Sequence, residues 1–307
     1  MNIRNQHKFP VYITFAPSSE FKGSEKITLT IEGFFSKALK LNQPEFPQIF
    51  DIGVTAEFIH NASLLHDDVI DHGKLRRGAP TVNVVWDDLT AVLAGDILLA
   101  ESIRILADCP RVVAQEALNL VSSMTKATML EAHVRNNPNI SLKQWEFIAD
   151  GKTSSMFRWC GRAIGHLAKN QDATTRFGNF GTHFGLAFQL ADDILDIQFS
   201  ESGKTPFADL RNRNPSYPML LACNLSAGFQ KDLQDAWKKE QLSEQEIQRL
   251  GEAIISSGAV EQSLDVINNE VQQSLESLGK FVNYPGCQEI AQWAIAMCYR
   301  FQKPEAV

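Results

Sequence analysis

Excess positive charge is the first thing missing: 29 Lys+Arg stand against 36 Asp+Glu, a formal net charge of −7. A protein that coats nucleic-acid phosphates draws on a basic surplus, so nucleic acid is excluded as a partner and an anionic ligand needs a local basic site. Cysteine is sparse too. The five (Cys109, Cys160, Cys223, Cys287 and Cys298) are odd in number, scattered and never paired as C-x-x-C. That excludes a disulfide framework or zinc cluster and fits a reducing, cytoplasmic location. Long hydrophobic runs are absent: none reaches the ~18 apolar residues of a membrane span. The richest stretch, Thr90 to Ala100, carries Asp96 in its middle and reads as a buried helix. The start, MNIRNQHKFPVYITF, lacks a basic segment followed by an apolar run, so no secretory signal is expected.

What is present is a 44% hydrophobic content, ample for a well-buried core. From Leu29 to Phe301 apolar residues recur at spacings of three and four, so the expected fold class is all-α. Breaks fall at Asn42 to Pro47, His72 to Pro80, Asn136 to Asn139, Ser202 to Pro218 and Tyr284 to Gly286. None is long enough for an interdomain linker. The expected organisation is a weakly patterned segment over 1–25 and one helical domain over 26–307.

The acidic residues are unevenly spread. Leu64-Leu65-His66-Asp67-Asp68-Val69-Ile70-Asp71 is echoed by Gln189-Leu190-Ala191-Asp192-Asp193-Ile194-Leu195-Asp196, each closing an apolar helical run. One turn apart on a helix, Asp67 and Asp71 share a face and Asp68 leans toward it; Asp192, Asp193 and Asp196 repeat the pattern. Three carboxylates held together repel and raise one another's pKa, which is tolerable in solvent or around cations. Hard oxygen ligands suit Mg²⁺, which bridges a carboxylate or two to substrate phosphates. Both motifs sit flush against apolar faces, where a decorative acidic triplet would be awkward. Arg76 and Arg77 follow the first motif and Lys204 the second, at the range of a bound diphosphate.

With these residues assembled, the chain resembles the trans-polyprenyl diphosphate synthases, the head-to-tail isoprenyl chain-elongation enzymes. The resemblance rests on Glu57 to Asp71, Arg76-Arg77-Gly78, Pro80-Thr81, Val92 to Asp96, Gly151-Lys152-Thr153, Phe188 to Asp196, Gly203-Lys204 and Asp209-Leu210. It implies antiparallel helices around a deep cavity, usually in a homodimer. It implies three Mg²⁺ ions on the two aspartate motifs, helped by Arg76, Lys152 and Lys204, which draw the diphosphate off an allylic substrate. The double bond of isopentenyl diphosphate then attacks the allylic cation. Thr153 and Gln189 resemble the family's cation-facing dipoles, and His60 and Arg77 match positions that bind isopentenyl diphosphate. A cation quenched by water requires a dry apolar cavity with charge at its mouth.

The match fails on one side. The family's GGKRxRP segment is absent; the corresponding stretch runs from Lys22 to Ile31, with Lys22 and Lys26 the only basic candidates. The helical GExxQ reads Ala127 to Glu131, with glutamate for glutamine, and a further expected lysine is Asn214. These departures touch the isopentenyl diphosphate half and leave the allylic, metal-binding half intact. Three readings follow: elongation with a rebuilt acceptor site, a cyclase or lyase that ionises an allylic diphosphate alone, and a low-activity subunit of a heteromeric synthase.

An isoprene unit is about one helical turn long, ~5.4 Å, so residues one turn before Asp67 should line the tunnel. These are Ala62 and Ser63, small where short-chain relatives place aromatics, which points to a product longer than farnesyl diphosphate. Elsewhere, Gly178, Gly181 and Gly185 are spaced for close helix contact, Asp87-Asp88 reads as a helix start, and His66 as a residue that packs or supports the first motif from behind.

Overall fold

The computed structural model describes residues 25–41, 45–76, 78–198 and 206–300. The expected N-terminal segment, apart from Glu25, lies outside them. The all-α expectation holds: the only strands described are β1 (Leu75–Arg76) and β2 (Ala79–Pro80), a hairpin in which Gly78 takes φ 79° to reverse the chain.

The first half of the chain contributes α1 (Glu25–Ala38), α2 (Gln48–Ile70), α3 (Val82–Val85), α4 (Asp88–Ile105) and α5 (Arg111–Val134). The middle holds α6 (Leu142–Ala149), α7 (Ser155–Leu167) and α8 (Gln171–Gln198), with a π-turn over Asp150–Ser154 joining α6 to α7. The remainder is α9 (Ala208–Asn212), α10 (Tyr217–Leu225), α11 (Ala227–Trp237), α12 (Glu244–Ser256), α13 (Ala259–Ser277) and α14 (Pro285–Cys298).

Helix starts follow local chemistry. Asp87 caps α4 by accepting from the Thr90 N–H at 2.6 Å, as its sequence position suggests. Ser141 with Gln144 and Ser243 with Glu246 form reciprocal capping boxes at α6 and α12.

The long helix α8 runs through the centre, packed along α7 and α13. Phe177, Phe180, Phe184 and Phe188 recur every three or four residues and point one aromatic stripe into the core. Phe35 of α1 stacks on Phe177 at 4.0 Å between ring centres, and Phe157 of α7 meets Phe184 at 4.9 Å. Each buried phenylalanine contributes roughly 1.5–3 kcal/mol. The neighbouring glycines let α7 approach: a Cβ on Gly181 would come within 2.4 Å of the Phe157 backbone, and one on Gly185 within 2.4 Å of Ser154. Buried apolar side chains from Ile31 to Cys298 form one continuous cluster. All five cysteines are buried, and burial pushes the Cys298 thiol up to about 12. No helix among the described residues is long and apolar enough to cross a membrane.

Candidate active site

The first acidic motif ends α2. Its three carboxylates do not stay together, which corrects the picture of a compact triplet. Successive helical residues are ~100° apart, so the second aspartate of the pair turns away from the first. Asp68 is buried and gripped by Arg76, whose Nε donates to both carboxylate oxygens at 3.1 and 3.0 Å and whose Nη2 donates to Oδ1 at 2.8 Å. Arg76 comes from β1, so this pair docks the hairpin on the end of α2. Asp67 faces Lys152 Nζ at 3.5 Å, and that ammonium also pairs with Glu131 of α5 at 2.5 Å. Burial pushes the Asp67 carboxyl above its usual value, against the pull of Lys152. For Lys152 burial acts downward, yet Asp67 and Glu131 outweigh it and hold the ammonium above its ordinary value. Asp71 is half-exposed and meets Arg135, just past α5, at 2.5 Å.

The second motif divides in the same way. Asp192 is half-exposed and paired with Arg300, whose guanidinium lies 4.2 Å above the Phe188 ring. Asp193 is buried and accepts from Trp145 Nε1 at 2.9 Å, the Tyr217 N–H at 2.9 Å and Gln189 Nε2 at 3.1 Å. Burial raises it to about 7 in spite of those donors. Asp196 is drawn into the backbone: its two oxygens accept from the N–H groups of Ala208 at 2.9 Å and Asp209 at 3.0 Å, capping α9.

Between the motifs lies a cavity of about 310 Å³ lined by Asp67, Lys152, Thr153, Gln189, Asp192 and Asp193, with Met124, Met156, Phe157 and Phe188 on its apolar side. The π-turn aims Lys152 and Thr153 at it; such single turns often mark functional positions. Gly151 permits the turn to sit on α5, since a Cβ there would come within 2.5 Å of Ala127 Cβ and 2.9 Å of Ser123 O. Thr153 Oγ1 donates to Gln189 Oε1 at 2.8 Å, linking the turn to Asp193 through Gln189. His60 lines the same cavity, and its buried Nε2 has no protein partner. Burial first, and then the nearby Arg76, lower the His60 pKa. A neutral imidazole with an unpartnered nitrogen suits a polar ligand there.

Arg77 and Lys204 lie outside the described residues. Asn214, where the resemblance calls for lysine, lines the cavity and donates to Asp209 at 3.3 Å. Ser63 lines this cavity and a second one of about 250 Å³, together with Asp67, Met124 and Thr128. Ala62 is fully buried and lines neither. His66 meets Val92 O at 3.1 Å and lies 3.5 Å from the Asp96 carboxylate. Sequence reasoning missed Arg135, Arg300 and Trp145. No local signal marks them, because each reaches an aspartate at least 48 residues away in the chain.

Among the described residues no three His, Cys, Asp or Glu side chains are packed closely enough to cage a metal. If a divalent cation is bound, Asp67 and Asp192, which line the cavity, and half-exposed Asp71 would be the carboxylates open to hold it, with the Lewis-acid chemistry such an ion supplies. Asp68, Asp193 and Asp196 are committed to protein partners.

An all-α fold in which two aspartate motifs flank an apolar cavity defines the class of the trans-prenyltransferases. The pattern of the polyprenyl synthetase family matches residues 27–254, and the chain belongs to that family. It is 31% identical to the nonaprenyl diphosphate synthase of Mycobacterium tuberculosis over 81% of this chain and 75% of that protein. It is 33% identical to the all-trans-nonaprenyl-diphosphate synthase (geranyl-diphosphate specific) of Rhodobacter capsulatus over 58% of this chain, a stretch spanning 55% of that relative. A decaprenyl diphosphate synthase structure from Rhodobacter capsulatus shares the fold with a TM-score of 0.85 and 24% identity, covering 92% of this chain and 87% of that one.

Proposed function

We propose that the protein condenses an allylic diphosphate with isopentenyl diphosphate, releasing diphosphate and a product one isoprene unit longer at each step. The observation that carries this reading is the placement of Asp67, Asp192 and Lys152 on one wall-sharing cavity with an apolar interior. Mg²⁺, held by Asp67, Asp71 and Asp192, would supply Lewis-acid stabilisation of the leaving diphosphate. The protein's part is to aim and shield. Lys152, kept charged by Asp67 and Glu131, presents an ammonium to the phosphate oxygens. The Thr153 and Gln189 oxygens offer partial negative charge to an allylic cation, and Met124, Met156, Phe157 and Phe188 keep water from it. Asp68 and Asp193 act as positioning residues: one orients Arg76, the other fixes Gln189 against Trp145 and Tyr217. The unpartnered His60 Nε2 supports a polar acceptor contact.

Small Ser63 and the second cavity beyond it support a product longer than farnesyl diphosphate. Val84, Val85, Trp86, Leu89, Leu93 and Ile97 are exposed along α3 and α4, and Leu89, Leu93 and Ile97 form one stripe four residues apart. A stripe of that kind is unfavourable in water and supports a homodimer through α4.

Incubation with Mg²⁺, farnesyl diphosphate and labelled isopentenyl diphosphate tests the reading. Label in products longer than farnesyl diphosphate is expected. Turnover of farnesyl diphosphate without isopentenyl diphosphate points to a cyclase or lyase instead, and inertness until a second protein is added points to a subunit role.

A further inference from the structure

Each carboxylate of the candidate metal site already carries a basic partner: half-exposed Asp71 has Arg135, half-exposed Asp192 has Arg300, and the more buried Asp67 has Lys152. Two of these bases come from places the motifs do not predict, the residue that caps the end of α5 and the second residue beyond α14. Neither guanidinium is locked on a buried carboxylate as Arg76 is on Asp68, although Arg300 also donates through Nη1 to the Met297 carbonyl. Arg135 leaves its Nε buried and unpartnered. Arg300 rests on the Phe188 face, which lines the cavity, so its charge stands at the cavity's edge.

Resting on the prenyl-transfer reading above, we propose that Arg135 and Arg300 are resident counter-ions of the two motifs that make metal binding conditional on a diphosphate. A divalent cation arriving alone must displace a guanidinium from its carboxylate and then sit beside it, so the gain at the carboxylate is offset by the broken pair and the new repulsion. A diphosphate reverses this balance. Its oxygens accept the released guanidiniums in the two-pronged geometry that arginine favours, while the metal takes the carboxylates. Metal and diphosphate then bind each more tightly in the presence of the other, and the coupling is reciprocal.

The test is calorimetric titration of the full chain with Mg²⁺ alone, with inorganic diphosphate alone, and with Mg²⁺ at saturating diphosphate. Wild type is compared with Arg135→Gln, Arg300→Gln and the charge-keeping Arg300→Lys, with melting temperatures recorded for each. Both glutamine variants are expected to bind Mg²⁺ alone more tightly, on the order of tenfold, and to show a correspondingly smaller enhancement by diphosphate. Arg300→Lys is expected to stay near wild type. Unchanged affinity for Mg²⁺ alone in both folded glutamine variants, with wild type still showing coupled binding, overturns the counter-ion role and leaves the prenyl-transfer reading standing. Failure of wild type to bind Mg²⁺ and diphosphate together overturns both.

Discussion

Two aspartates in each motif are next to one another in sequence and do opposite work. Asp192 faces the cavity with Arg300, while Asp193 is buried on three donors. Asp192→Asn and Asp67→Asn are expected to lower kcat by at least about 100-fold with little change in melting temperature, measured by product formation and thermal denaturation. Asp68→Asn weakens the Arg76 pair and is expected to act on stability as well, by roughly 1–3 kcal/mol in denaturant unfolding. Asp193 also gives a pH signature. Its folded pKa, about 7, lies above the ordinary 3.8, so the folded state holds a proton that the unfolded state has lost. Its contribution is therefore fully present below pH ~4 and is lost as pH rises toward 7. Metal-free wild type is expected to lose stability across that window relative to Asp193→Asn, followed by melting temperature against pH; parallel curves would contradict it. At the tunnel, Ser63→Phe is expected to shorten the product in chromatography. Ala62→Phe is expected to cost stability, about 1–3 kcal/mol, because that site is fully buried.

At the level of elements, the π-turn between α6 and α7 is what brings Lys152 and Thr153 to the cavity, and Gly151 is what lets the turn lie on α5. Gly151→Ala places a methyl 2.5 Å from Ala127 Cβ and 2.9 Å from a backbone oxygen, neither of which can swing aside. The expected outcome is a loss of roughly 1–3 kcal/mol and a fall in kcat larger than any change in KM, read from unfolding and steady-state kinetics. Asp196 shows the same dependence on an element: its carboxylate caps α9 and holds the segment that carries Asp209 and Asn214 under the second motif.

Across the whole molecule, the exposed apolar stripe on α4 and the second cavity lie on neighbouring helices, with Leu99 of α4 and Met129 of α5 lining that cavity. A standard interface covers about 800 Å² per partner, and six large apolar side chains along α3 and α4 offer a surface suited to one. Leu93→Glu together with Ile97→Glu is expected to give a monomer in light scattering. An unchanged mass would exclude this face as the interface.

The helical class was legible because apolar spacing of three and four encodes burial on one face, whatever else surrounds it. The phenylalanine stripe of α8, the Asp87 cap and the close-packed Gly181 and Gly185 all follow from local rules, and so did the two aspartate motifs. The net charge of −7 counted those aspartates without saying which ones are buried on protein partners. Only the tertiary structure showed that Asp68, Asp193 and Asp196 are taken up by Arg76, Trp145 and the α9 backbone while Asp71 and Asp192 stay half-exposed, and only it brought Arg135 and Arg300 to the motifs. The reason is physical: a helix fixes the angle between neighbouring side chains, but burial and ion pairing depend on segments that arrive from up to 108 residues away.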